Sequence, residues 1–118
     1  MSMRAALALF ILVALSVDAF AGEIRKGATM QVKANSIWFE AAVQLEQWQQ
    51  KKKVGGAKEF EAYQESLLHE REAWQFINPV KVKIIGYNPK KNRVYVEMMS
   101  KGRLEGAVWF LDVDALVR

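Results

Sequence analysis

The apolar residues change their spacing partway along the chain, and the change falls at Asn78-Pro79. Before it, Trp38, Ala41, Leu45 and Trp48 recur at intervals of three and four. Phe60, Tyr63 and Leu67 do the same, and Trp74 continues the series with Arg71 filling the intervening turn. Such spacing places side chains on one face of a helix. After Pro79, Val80, Val82 and Ile84 alternate with Lys81 and Lys83, and Val94, Val96 and Met98 alternate with Arg93, Tyr95 and Glu97. Period two marks strands with one buried face. A chain that carries both periods in separate blocks is expected to be α+β, with helices segregated from an antiparallel sheet.

The elements can be bounded. Thr29 to Ala34 alternates polar with small or apolar residues, as a half-buried strand does. Asn35-Ser36 offers an N-cap, so a helix is expected from Ile37 to Lys53. Lys51-Lys52-Lys53 suits its C-terminal dipole, and Val54-Gly55-Gly56 breaks it. A second helix is expected from about Ala57 to Phe76, with Glu59 and Glu61 at its start and Asn78-Pro79 at its end. Two helices joined by Gly-Gly form an antiparallel hairpin. Strands follow at Val80–Ile84, Arg93–Met98 and Ala107–Leu111, with turns at Gly86–Asn92 and Lys101-Gly102-Arg103. Asp112 is placed to cap a short helical turn carrying Val113, Ala115 and Leu116.

The N-terminus reads differently. Arg4 precedes an apolar run from Ala5 to Leu15, and Ala19-Phe20-Ala21 carries small residues at the −3 and −1 positions of a cleavage site. This is the layout of a secretory signal peptide, and the run is shorter than the roughly 20 residues of a spanning helix. Residues 1–21 are expected to be removed, leaving 22–118 as a single domain and no stable membrane span. The +4 net charge survives that cleavage, whereas the apolar share falls from 52% to about 45%, an ordinary value for a globular domain. The chain has no cysteine, which excludes a disulfide scaffold, a thiolate metal site and a cysteine nucleophile. An exported domain without disulfides fits a periplasm best, with secretion the other destination.

The C-terminal third has a recognisable rhythm: Val80-Lys81-Val82, a polar turn, Val94-Tyr95-Val96, Gly102 to Gly106, Trp109-Phe110 and Leu116-Val117. It resembles the small bacterial SH3-like barrel, with Met30 to Ala34 as the opening strand. Three details depart from that family's usual pattern. The Asn-Val-Arg that follows the opening strand is absent, and Ser36-Ile37-Trp38 stands nearby instead. Gly106 stands three residues before Trp109 instead of adjoining it, and Ala115-Leu116 stands where Tyr-Leu is usual. The resemblance implies a small SH3-like antiparallel β-barrel or meander, with an antiparallel helical hairpin inserted at about 37–77. It also implies a binding groove around Trp109, with Tyr87, Tyr95 and Phe110 as neighbours.

Other residues invite chemistry. Lys81, Lys83 and Arg93 share the outer sheet face, and with Tyr95 among them they could recognise an anion. Export argues against nucleic acid as that anion. His69 is the only histidine and points about 100° away from Glu70 on a helix, so the pair is a poor acid–base unit. One histidine and no cysteine do not make a transition-metal site, and no cofactor motif is present. Glu59, Glu61, Glu65, Glu70 and Glu72 read as a solvated helix face; Asp112 and Asp114 lack the further oxygen ligands of a calcium loop, and Asp112 reads as a helix cap.

Together these features imply a non-enzymatic, exported binding or accessory protein. Its ligand-binding candidates are Trp109, Tyr87, Tyr95, Phe110, Lys81, Lys83 and Arg93. Its expected partner is a cell-envelope protein or an anionic, peptidoglycan-type polymer. The alternatives are an interaction or homodimerisation module acting through an exposed aromatic stripe on the hairpin, and, third, a carboxylate-dependent hydrolase built on Glu65, His69 and Glu72.

Overall fold

The computed structural model describes residues 23–118, and the expected signal peptide lies outside them. The chain forms β1 (Thr29–Val32), β2 (Ile37–Trp38), α1 (Ala42–Val54), α2 (Ala57–His69), β3 (Trp74–Gln75), β4 (Val80–Asn88), β5 (Arg93–Met98) and β6 (Val108–Asp112). Short 3-10 turns cover Pro89–Lys91 and Val113–Ala115. The fold is α+β. Four strands pair antiparallel in the order β1-β4-β5-β6, and β2 and β3 form a separate antiparallel ribbon. The ribbon and the helical hairpin are thus inserted between two neighbouring strands, β1 and β4.

The alternation read from the sequence sets the faces of the sheet. Val82, Ile84, Val94, Val96, Trp109 and Leu111 are buried on one side, while Lys81 and Lys83 are exposed on the other. One interruption matters. The β4–β5 register slips between Ile84 and Gly86, so Ile84 opposes Val96 but Gly86 opposes Tyr95 and Tyr87 opposes Val94. A bulge of one residue moves every later side chain of β4 to the other face.

The chain end connects the two edges of the sheet. Lys33 N–H donates to the Ala115 carbonyl (2.8 Å) and Val117 N–H donates to the Gln31 carbonyl (2.8 Å). The segment after β6 thereby bridges to β1, with Val32 opposite Leu116. The connection is a 3-10 turn and an isolated bridge, not the continuous ladder of a closed barrel.

Two apolar cores result. The first lies under the sheet and contains Val32, Trp38, Val82, Ile84, Val94, Val96, Trp109 and Leu116. Trp38, Trp109 and Phe76 meet edge-to-face there, with ring centroids 4.9–6.0 Å apart. The second lies between the hairpin and the opposite sheet face, and contains Ile37, Phe39, Leu45, Trp48, Leu67 and Ala73, with Phe60, Tyr63 and Phe110 at its margin. The helices run antiparallel: Trp48 Nε1 donates to Gln64 Oε1 (3.0 Å) and its ring packs on Phe60.

Two helix boundaries differ from expectation. The first helix starts at Ala42, not Ile37, and no side chain caps it. Ile37, Trp38 and Phe39 are extended instead, with Trp38 in the sheet core and Ile37 and Phe39 in the hairpin core. Period two therefore governs these three residues, and Trp38 met the helical spacing only by coincidence. Phe39 exchanges two backbone hydrogen bonds with Phe110 (3.0 and 2.7 Å), which ties this segment to β6.

The second helix ends at His69, well before Phe76. Arg71 takes the left-handed conformation (φ 60°), Glu72 N–H donates to the Leu67 carbonyl (2.9 Å) and Arg71 N–H to the Leu68 carbonyl (3.3 Å). This is a Schellman termination with arginine where glycine is usual. Trp74 consequently lies in β3, and its Nε1 donates to Glu40 Oε1 (3.2 Å). The hairpin turn falls at Gly55-Gly56 as expected. Gly55 is needed there for closeness, not handedness: a Cβ would stand 2.9 Å from the Lys51 carbonyl oxygen.

Candidate functional site

The expected aromatic groove is not assembled. Trp109 is a core residue, only 5% exposed, and its indole N–H finds no acceptor among the described residues. The bulge at Ile85 puts Tyr87 on the same side of the sheet as Val94, away from Tyr95. Tyr95 does meet Phe110: the rings stack at 4.5 Å and 19° on the outer face. Phe110 in turn packs under the hairpin, so this pair is half-buried where the helices leave the sheet. Lys83 lies opposite Glu97 across the β4–β5 ladder, and Lys81 and Lys83 are exposed. Of the candidates, Tyr95, Phe110, Lys81, Lys83 and Arg93 therefore share the outer face, and Trp109 and Tyr87 do not.

Arg93 leads to a different site. It is the first residue of β5, and its guanidinium lies 3.6 Å from Glu46 on α1, with the side chain 12% exposed. Beside it, Gln49 of α1 donates to the Asn92 carbonyl (3.0 Å) and to Asp112 Oδ1 (2.7 Å). These contacts fasten the helix to the end of the sheet and leave an open cleft of about 410 Å³ between them. Its walls come from three distant stretches of sequence: Lys52 and Lys53 in the last turn of α1, Lys90 and Lys91 in the turn after β4, and Asp112 and Asp114 at the end of β6.

Each wall is shaped locally. Asn88 caps the turn by accepting from the Lys91 N–H (3.3 Å), Pro89 starts it with its fixed φ, and Asn92 ends it in the left-handed region (φ 51°). Asn tolerates that conformation, and the turn is thereby held with both lysines outward. On the opposite side Asp112 caps the 3-10 turn as expected, accepting from the Asp114 N–H (2.9 Å).

The charges are unequal in their commitments. Glu46 faces Arg93, and Asp112 accepts from both Gln49 and the Asp114 N–H. Lys52 lies over the Trp48 ring at 5.0 Å. The side chains of Lys53, Lys90 and Lys91 form no ion pair among the described residues. The cleft thus gathers five cations, Lys52, Lys53, Lys90, Lys91 and Arg93, against three acids, Glu46, Asp112 and the exposed Asp114. The sequence held all of these cations, but only the packing of α1 onto β5 and β6 shows that they converge.

The other candidates lie apart. Glu65, His69, Glu70 and Glu72 are exposed, and neither this cleft nor that between Phe76 and Leu104 has them in its lining. The aromatic stripe of the hairpin is turned inward: Trp48 is buried, Phe60 and Tyr63 are half-buried, and Lys51 covers the Tyr63 ring at 5.5 Å. No group of three or more metal-ligating side chains occurs among the described residues, and no described helix is long and apolar enough to cross a membrane. Comparison with protein-family models, curated proteins and solved structures finds no match.

Proposed function

We propose that the chain is an exported, periplasmic or secreted, non-enzymatic binding protein. Its domain would be an SH3-like sheet in which a helical hairpin replaces a short loop. Three features support that architecture: the β1-β4-β5-β6 order, the 3-10 turn after β6, and the return of Leu116 to Val32. The partner is an acidic cell-envelope component, either an acidic protein segment or an anionic polymer. The observation that carries the reading is the convergence of Lys52, Lys53, Lys90 and Lys91 on one cleft at the hairpin–sheet junction. A positively charged concavity with low-dielectric walls concentrates anionic partners near it.

The test uses fluorescence anisotropy with labelled poly-glutamate and labelled polygalacturonate, one arm for each kind of polyanion. K90E/K91E is expected to weaken the preferred probe at least tenfold. K101E/R103E changes net charge by the same amount at the other end of the sheet and is expected to weaken it less than threefold. Equal loss in both variants would mean that net charge alone drives binding, and the cleft would be abandoned.

A further inference from the structure

The sheet has a second end, with a different surface. There, the segment that enters β4 and the turn between β5 and β6 flank an open groove of about 810 Å³. Its lining includes Ile77, Pro79, Val80 and Leu104, with Lys101 and Arg103 among them and no carboxylate. Ile77 is 73% exposed and Leu104 43% exposed. Two such side chains bordering one groove, with Pro79 and Val80 between them, make a contiguous apolar patch of the kind that marks an interaction surface.

The turn is built to keep its tip outward. Gly102 and Gly106 have positive φ (133° and 84°), which a side chain would resist. Glu105 N–H donates to the Gly102 carbonyl (3.2 Å), Ala107 N–H to the Leu104 carbonyl (3.0 Å), and Gly106 N–H to the Met98 carbonyl (2.9 Å). Leu104 is therefore carried on an internally bonded turn and does not fold back onto the core. Glu105 is the one acid of this turn, and it lines no part of the groove.

We propose that this end of the domain docks on an anionic lipid bilayer. Ile77 and Leu104 enter the boundary between head groups and acyl chains, and Lys101 and Arg103 meet the lipid phosphates. Charge complementarity selects this occupant: aliphatic tips ringed by cations, with no acid in the groove, match an interface that is apolar within and negative at its surface. A protein partner is favoured less, because the aromatic side chain of the lining, Phe76, is half-buried and packed on Trp38 and Trp109 instead of standing out as an anchor. The proposal is independent of the polyanion cleft. Docking by this end would leave that cleft, at the opposite end of the strands, facing away from the lipid.

Co-sedimentation of the full chain with vesicles tests it, comparing phosphatidylcholine alone with a two-to-one mixture of phosphatidylcholine and phosphatidylglycerol. The wild type is expected to prefer the mixed vesicles. K101E/R103E is expected to lose at least tenfold in partitioning, since each cation near an anionic surface contributes about fivefold. I77S/L104S is expected to lose about tenfold, and K90E/K91E less than threefold. All variants keep the apolar run of residues 5–15, so that run does not account for differences between them. Equal binding to both vesicle types would place the attachment in that run and overturn the proposal. Equal loss in the two charge-reversal variants would reduce it to net charge. If I77S/L104S leaves partitioning intact but converts a dimer to a monomer in sedimentation equilibrium, a second copy covers the face instead. Should the double variant melt early, I77S alone, at a largely exposed position, carries the same test.

Discussion

The two cores of this domain are built by different rules. The sheet core has ladders on both flanks: β4 pairs with β1 and β5, and the C-terminal segment returns to β1. Its side chains are almost wholly excluded from water, Trp38, Val82, Ile84, Val96 and Leu111 being fully buried. The hairpin core leans on a single face. Leu45 and Phe39 are fully buried, but Phe60, Tyr63 and Leu68 keep partial exposure, and Lys51 and Lys52 lie over its aromatic rings. Lysine stems and ring faces here do the work that a third layer of structure does elsewhere. The difference implies that the hairpin can loosen while the sheet remains, with the Phe39–Phe110 bridge and the Gln49–Asp112 bond as the points where the two units hold together.

Two truncations probe that separation most strongly. Trp38→Ala removes the ring that touches Phe76 and Trp109, and is expected to cost about 3–5 kcal/mol and to unfold the whole domain. Leu45→Ala is expected to cost about 2–4 kcal/mol, but through the hairpin alone. Hydrogen exchange checks this: amides of α1 and α2 should exchange faster in Leu45→Ala while those of β4 and β5 keep their protection. Uniform loss of protection in Leu45→Ala would break the comparison and make the two cores one cooperative unit.

The sheet core was also the more legible of the two. Val82, Ile84, Val94 and Val96 announce their face by simple alternation, and each is buried as that alternation requires. The bulge at Ile85 left no such trace, because Ile85-Gly86 continues an apolar run either way, and it decided where Tyr87 points. In the hairpin, the spacing of Leu45, Trp48, Phe60, Tyr63 and Leu67 located both helices, yet both outer boundaries were misplaced. Three consecutive strand formers, Ile37-Trp38-Phe39, were the available signal at the first. At the second, arginine in the place of glycine gave none. The cleft was unreadable for another reason. Lys52-Lys53 and Lys90-Lys91 lie far apart in sequence, and their approach depends on how α1 packs against β5 and β6.

Arg71 itself offers a finer test. A non-glycine residue in the left-handed region at a helix end carries a penalty that glycine lacks. Arg71→Gly is therefore expected to raise stability by about 0.5–1 kcal/mol, read from denaturant midpoints at unchanged slope. If the cores are separable, the gain appears as slower exchange in α2, not in the sheet. A gain shared equally by β4 and β5 would again argue for a single unit.

The smallest effect concerns Tyr63, at the margin of the hairpin core. Burial raises its hydroxyl above the ordinary value of 10.0, and the charge of Glu72 adds to the rise. Because the folded-state value is the higher one, the folded protein holds this proton more tightly than the unfolded chain does. The stabilisation is fully present below pH 10 and is lost as pH climbs through the folded-state value. Tyrosinate absorbance of wild type minus Tyr63→Phe isolates this group, and its midpoint is expected above 10.0. Glu72→Gln should lower that midpoint only part of the way, since burial is the larger cause. Loosening the hairpin with Leu45→Ala should bring it down further, because the phenol then loses more of its partial burial. A midpoint unmoved by Leu45→Ala would mean that the margin of the hairpin core keeps its partial burial when its centre is cut, and the contrast between the cores would narrow accordingly.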